Sequence, residues 1–203
     1  MADNRKVFFF DIDNCTVDKY FESHLSLSRE DANELHTRYY KDYGLAIEGL
    51  VRHHKVDALE YNEKVDDALP LEDIMSADPK LRKLLEDLDT SKVKPWLFTN
   101  AYINHGRRVV KLLGVEDMFE GITYCDYSAA KFLCKPSPDM FKKAMAEADD
   151  SAINAAGATK MGWTAAHLVE PGVTAPTSQV SRYQISNLQE LKSIFPQFFK
   201  STS

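Results

Sequence analysis

The segment Lys6-Val7-Phe8-Phe9-Phe10-Asp11-Ile12-Asp13-Asn14 constrains this chain's fold more than any other, as an unbroken apolar run that closes on carboxylates. A run of this length and aromatic content reads as a strand buried on both faces. The pattern recurs. Pro95-Trp96-Leu97-Phe98 closes on Thr99-Asn100, Gly121 to Cys125 closes on Asp126, Thr164 to Val169 forms a fourth run, and Tyr183-Gln184-Ile185 reads as a short edge strand. Helical periodicity fills the spaces between, over Arg29 to Tyr43, Ala46 to His54, Ile103 to Leu113 stopped by Gly114, and Pro138 to Glu147 with proline in its first turn. Asn187-Leu188-Gln189-Glu190 opens a helix in the tail. Strands alternating with helices predict an α/β fold around a parallel sheet.

Between the first two runs, Lys19 to Asp89 shows helical patterns and no strand-like alternation, which predicts an inserted all-helical cap. Residues 1–18 and 90–203 then form the core and 19–89 the cap, a division that suits 203 residues as one domain with an insertion. The balance of 25 basic to 31 acidic residues, net −6, argues against nucleic acid as a partner but leaves room for a small anion held at a local positive site. No apolar run reaches the 18 or more residues of a membrane span, and the polar start Met1-Ala2-Asp3-Asn4-Arg5-Lys6 argues against secretion. Cys15, Cys125 and Cys134, odd in number and without metal-like spacing, fit a reducing cytoplasmic setting, with the nucleus as the alternative.

Ligands of an open parallel sheet bind at the carboxyl ends of its strands, so the residues that close each run are where chemistry belongs. Asp11 and Asp13 close the first, Thr99 and Asn100 the second, and Lys135 lies beyond the third. A lone Asp at such an end commonly satisfies a turn. Two carboxylates this close to a buried sheet edge repel each other unless a cation or a shared proton offsets them. Mg²⁺, a hard cation that takes oxygen ligands, meets that need, and a metal beside a carboxylate suits phosphoryl transfer through an aspartyl phosphate. Thr99 offers a hydroxyl and Lys135 a point charge for phosphate oxygens. Taken singly, Thr-Asn after a strand is an ordinary turn or helix cap, and lysine before proline an ordinary solvated loop residue.

In order and spacing, Phe10-Asp11-Ile12-Asp13-Asn14, Leu97-Phe98-Thr99-Asn100-Ala101, Cys134-Lys135-Pro136-Ser137-Pro138-Asp139-Met140-Phe141, and Asp149-Asp150-Ser151 with Asn154 resemble the four motifs of haloacid dehalogenase-like phosphohydrolases. The wording of Asp11 to Cys15, of Tyr39 to Ala46 and of Phe119 to Tyr127 is similar to the fungal and plant pyrimidine 5′-nucleotidase branch. The resemblance implies a Rossmann-like parallel sheet core with a helical cap, and a Mg²⁺-dependent phosphomonoesterase acting on nucleoside 5′-monophosphates, with pyrimidine ones preferred. It implies Asp11 as nucleophile and metal ligand, and Asp13 as acid and then base, binding metal through its backbone carbonyl. Asp150 would complete the metal site, Thr99, Asn100 and Lys135 would hold the phosphate, and Asp149 and Asn154 would support. The expected partner is a small nucleoside monophosphate, with no nucleic acid or membrane, and the chain is expected to be a monomer or homodimer. Asp13, which haloacid dehalogenases proper lack, favours a phosphatase. Another small phosphomonoester, such as a lysophosphatidate or a sugar phosphate, is the nearest alternative. In the cap, Tyr39, Tyr40, Tyr43, Arg52, His53 and His54 are candidates for base or ribose contacts, although an aromatic stripe at helical spacing is more often core.

One departure stands out. In the family pattern the fourth motif follows its own buried strand, whereas here Phe141 to Ala148 reads as helix and runs straight into Asp149-Asp150. A return to the carboxyl edge of the sheet needs a loop and a strand. Ala144-Met145-Ala146-Glu147-Ala148 has high helix propensity and no β-branched residue, so it is a poor candidate for that strand. The chain therefore reads as roughly a dozen residues short at this place. The shortfall is the basis of a rival reading, a catalytically impaired relative that only binds ligand.

Overall fold

The computed structural model describes residues 3–11, 28–148, 164–169 and 181–201. The sites expected at Asp13, Asp149, Asp150 and Asn154 lie outside the described residues. Strands β1 (Lys6–Phe10), β2 (Val93–Phe98) and β3 (Gly121–Thr123) form a parallel sheet with β2 in the centre. The aromatic run of β1 serves both faces of this sheet, as the two-residue period of a strand requires. Phe8 and Phe10 join the cluster around Leu84, Val93, Leu97, Val110 and Leu191, while Phe9 turns the other way onto Phe98, Met140 and Phe141. The Phe9 and Phe98 rings lie 5.5 Å apart, and Phe98 meets Phe141 edge-on at 5.3 Å.

Two strand limits differ from the sequence expectation. β2 begins at Val93, two residues before the proline taken as its start, with Pro95 in register with Phe8. β3 stops at Thr123, and Cys125 packs into the apolar cluster of the 32–65 helices, because the chain turns off the sheet toward them.

The helical insertion runs through α1 (Arg29–Tyr43), α2 (Ala46–His54), α3 (Ala58–Lys64) and α4 (Leu71–Ile74). Ser28 caps α1 by accepting from the Asp31 N–H, and Gly44 ends it in the left-handed region at φ 78°. Ile47 and Leu50 of α2 are fully buried in a cluster with Ala32, Tyr39 and Tyr61 that also takes in Cys125, Tyr127, Phe132 and Cys134 from the loop after β3. The next helix, α5 (Pro79–Glu86), packs elsewhere. Its Leu84 and Leu85, with Leu88, share the sheet's own cluster with Val93 and Leu97. Helical periodicity shows that a helix has an apolar face but not which partner covers it, so the sequence boundary at residue 89 grouped α5 with the cap.

After β2, α6 (Ile103–Leu112) leads to β3, and α7 spans Pro138–Ala148 with Met140, Ala144 and Ala148 buried at helical spacing. The helix thus persists to the residue before Asp149. Strands β4 (Ala166–Leu168) and β5 (Tyr183–Ile185) pair in parallel with each other, in a sheet separate from β1–β3. Ala166, Leu168 and Ile185 nonetheless share one apolar cluster with Phe8, Phe10 and Leu97. Among the described residues, no strand lies between α7 and β4 and none joins the two sheets. The short helix α8 (Leu191–Ile194) follows the capping box of Asn187 and Glu190. Among the described residues, no helix is long and apolar enough to cross a membrane.

Candidate active site

The ends of β1 and β2 lie side by side because Phe10 pairs with Leu97, so Asp11 and Phe98 follow on adjacent strands. The Asp11 side chain is 63% exposed and forms an ion pair with Lys135, whose side chain is only 18% exposed. The Lys135 ammonium also donates to the Phe98 carbonyl at 2.9 Å and sits 5.0 Å from the centroid of the Phe98 ring. A carboxylate, a carbonyl and an aromatic face thus hold one cation at the sheet edge. The solvated-loop alternative for Lys135 does not describe this arrangement.

Thr99 is fully buried. Its N–H extends the sheet to the Thr123 carbonyl at 3.0 Å, and its hydroxyl accepts from the Ala101 N–H at 2.9 Å, which turns the chain beyond β2. Asn100 is buried too, and its carboxamide is engaged by backbone on both sides. Oδ1 accepts from the Lys135 N–H at 2.7 Å, while Nδ2 donates to the carbonyls of Lys135 at 3.0 Å and Gly44 at 3.1 Å. The opposite amide orientation would set donor against donor and acceptor against acceptor, so the network fixes the assignment. The structure therefore brings Asp11, Thr99, Asn100 and Lys135 to one edge of the sheet.

Several contributors were not singled out from the sequence. Phe98 acts through its carbonyl and its ring. Gly44 seats the end of α1 on the Lys135-Pro136 peptide, where an added Cβ would lie 2.2 Å from the Lys135 carbonyl oxygen. The single S–H of Cys134 faces two acceptors, the Tyr43 carbonyl 3.4 Å and the Glu48 carboxylate 3.6 Å from Sγ. Burial, reinforced by Glu48, pushes the Cys134 thiol up to about 12, so it serves as a weak donor and not as a nucleophile. The available signals were the glycine that stops α1 and the adjacency of Cys134 to Lys135.

The cap candidates are largely turned on one another. The Tyr39 hydroxyl meets His54 Nε2 at 2.8 Å and that of Tyr43 meets His53 Nε2 at 2.7 Å, while Arg52 pairs with Glu48 and lies 4.9 Å from the Tyr43 ring centroid. Tyr39 is buried within the cap cluster, whereas Tyr40 is exposed. Desolvation, followed by the neighbouring charges of His53 and Arg38, pushes the His54 imidazole down.

Behind the site, Tyr127 donates to the Asn100 carbonyl at 3.4 Å and stacks on Tyr102 and Phe132. Beside it lies Asp66, 9% exposed, whose carboxyl is pushed up to about 6 by burial and then by Asp67. Because the folded carboxyl binds its proton more tightly than the ordinary value of 3.8, its contribution is complete below that value. It is lost as the pH rises through about 6, and above that a buried charge costs stability. Asp66→Asn is expected to raise the unfolding free energy near pH 8 by on the order of 2–3 kcal/mol, with the gain vanishing below about pH 4. Urea titrations at the two pH values check this, and an equal effect at both would contradict it.

Oxygen donors suit a hard divalent cation, and Asp11 places one at the strand end in an exposed position. Among the described residues, no group of three or more His, Cys, Asp or Glu side chains forms a metal cluster, and the other expected ligands, Asp13 and Asp150, fall outside those residues. The Asp11 carboxylate therefore fits a Mg²⁺ site as one of its ligands.

A parallel sheet that carries an aspartate at the end of its first strand, a threonine at the end of the second and a lysine after the third has the order of residues that the resemblance to the haloacid dehalogenase-like hydrolases implies. The family profile of the haloacid dehalogenase-like hydrolases matches residues 5–156, and the chain belongs to that family. A curated relative, phosphate metabolism protein 8 of Saccharomyces cerevisiae, is 38% identical over 200 residues, covering 82% of this chain and 62% of the relative. This chain thus spans about three fifths of that protein's length. The aligned stretch of 200 positions takes in 82% of the 203-residue chain, about 166 residues, so about 34 of its positions have no counterpart here.

Proposed function

We propose that the chain is a Mg²⁺-dependent phosphomonoesterase acting on nucleoside 5′-monophosphates, pyrimidine ones preferred, through an aspartyl phosphate on Asp11. The observation that carries the reading is the Asp11 carboxylate facing the braced ammonium of Lys135 at the carboxyl edge of the sheet.

In the first half-reaction an Asp11 carboxylate oxygen bonds to phosphorus as the bond from phosphorus to the 5′-oxygen breaks. Asp13 gives its proton to the leaving alkoxide. In the second, Asp13 takes a proton from water, whose oxygen attacks phosphorus, and the bond to Asp11 breaks to release phosphate and restore the carboxylate. Lys135 faces the phosphoryl oxygens, and its charge comes without reorganisation because Phe98 already holds the ammonium. Thr99 offers its hydroxyl to the same oxygens. Mg²⁺, held by Asp11 with Asp13 and Asp150, would neutralise phosphate charge. The helical cap covers the leaving nucleoside and excludes water.

Phosphate release from UMP, CMP, AMP, a sugar phosphate and a lysophosphatidate, with Mg²⁺ and with a chelator, tests the reading. Release is expected to be fastest from UMP and CMP and to disappear with the chelator. Preference for another ester would reassign the substrate, and release that survives chelation would remove the metal. A second reading, ligand binding without turnover, is favoured by one observation, the helix that persists to the residue before Asp149. Phosphate binding without release from any ester would establish that reading instead.

A further inference from the structure

We propose that Asn100 is a positioning residue that acts through Lys135 and Gly44, so that one carboxamide sets both the placement of the phosphate-facing lysine and the seat of the helical cap. The kinetic part of this proposal rests on the phosphatase reading above.

A carboxamide has two N–H donors and one carbonyl acceptor. In Asn100 both donors are spent on backbone carbonyls, those of Lys135 at 3.0 Å and Gly44 at 3.1 Å. Its oxygen accepts from the Lys135 N–H at 2.7 Å. A phosphate oxygen is itself an acceptor, so it gains nothing from the amide oxygen and finds no donor left on the amide nitrogen. The side chain is buried as well, with 8% of the residue exposed. Its effect on the reaction therefore passes through what it holds.

What it holds is specific. The Lys135 backbone is clamped to Asn100 through both its N–H and its C=O, while its Nζ bonds the Phe98 carbonyl two residues earlier. The lysine is thus tied at both ends to the segment that closes β2. The Gly44 carbonyl belongs to the C-terminal turn of α1, whose last carbonyls have no partner inside the helix. Asn100 supplies one from the core. Cys134 adds contacts to Tyr43 and Glu48 one residue before Lys135, so the α1–α2 turn and the lysine loop meet on one side chain of the sheet edge and one of the loop.

The test is a double-mutant cycle in the full chain with Mg²⁺, comparing wild type, Asn100→Ala, Lys135→Ala and the double variant on UMP. Asn100→Ala is expected to lower kcat/KM by about 10- to 100-fold, as loss of a supporting partner does elsewhere. In the Lys135→Ala background it is expected to cost several-fold less, because the part that acts through the lysine is already gone and only the part that acts through Gly44 remains. Equal losses in both backgrounds would show that Asn100 acts independently of Lys135 and overturn the proposal. If Asn100→Ala does not fold, Asn100→Ser takes its place in the cycle. Amide hydrogen exchange separates this inference from the reading it rests on. Exchange at Lys135 and over residues 44–48 is expected to quicken by at least about tenfold in Asn100→Ala, whether or not the wild type turns over any ester. A wild type inactive on all esters would overturn the phosphatase reading, and unchanged exchange would overturn the clamp.

Discussion

On the proposed mechanism, phosphate release from UMP is expected to fall by about 10⁴-fold or more in Asp11→Asn, because the substitution removes the proposed nucleophile and not a group that assists it. Asparagine keeps the shape of the side chain and sits in a largely exposed position, so the fold is expected to survive. The carboxamide cannot form the acyl phosphate, and it also withdraws the negative partner of the Lys135 ammonium. Lys135 retains the Phe98 carbonyl and ring, so the variant is expected to bind inorganic phosphate at least as well as the wild type. Intact mass after brief exposure to substrate supplies a second readout, with one added phosphoryl group in the wild type and none in Asp11→Asn. Activity equal to wild type in the variant would sink the aspartyl-phosphate mechanism.

The parts of this fold that the sequence disclosed are those where one stretch of chain carries its own reason. Lys6–Phe10 is found in place because three consecutive phenylalanines make sense only on a strand covered on both faces. Helices α1 and α2 fall where the periodicity puts them, since a serine cap and a left-handed glycine mark the limits of α1. What stayed hidden depends on partners distant in sequence. Pro79–Glu86 shows a clear apolar face, but only packing reveals that the sheet covers it. Tyr124 and Cys125 look like a continuation of β3, yet the pull of the cap cluster on Cys125 ends the strand at Thr123. Asn100 reads from the sequence as a phosphate-holding residue at a strand end, and nothing in its neighbours announces that its amide reaches Gly44, 56 positions away. Phe98 hides for a different reason: it acts on the lysine partly through a backbone carbonyl, which every residue has.

Gly44→Ala is expected to be strongly disruptive, and Gly114→Ala shows why by contrast. Both glycines sit in the left-handed region, at φ 78° and 71°, where a side chain costs roughly 1–2 kcal/mol. At Gly114 an added Cβ would approach the Ala77 Cβ at 3.4 Å, ordinary contact, so the backbone cost stands alone. At Gly44 it would lie 2.2 Å from the Lys135 carbonyl oxygen and 2.5 Å from Pro136 Cδ, neither of them the end of a flexible side chain. The α1–α2 turn must then lift off the lysine loop, breaking the Asn100 bond to the Gly44 carbonyl and straining the Cys134 contacts to Tyr43 and Glu48. Gly114→Ala is expected to lose about 1–2 kcal/mol with kcat/KM unchanged, while Gly44→Ala loses about 3–4 kcal/mol and at least about tenfold in kcat/KM. Urea midpoints and initial rates on both variants decide the matter. Equal stability losses with activity intact in both would mean that the cap does not rest on the lysine loop through this glycine, and that closure over the site is set by another contact.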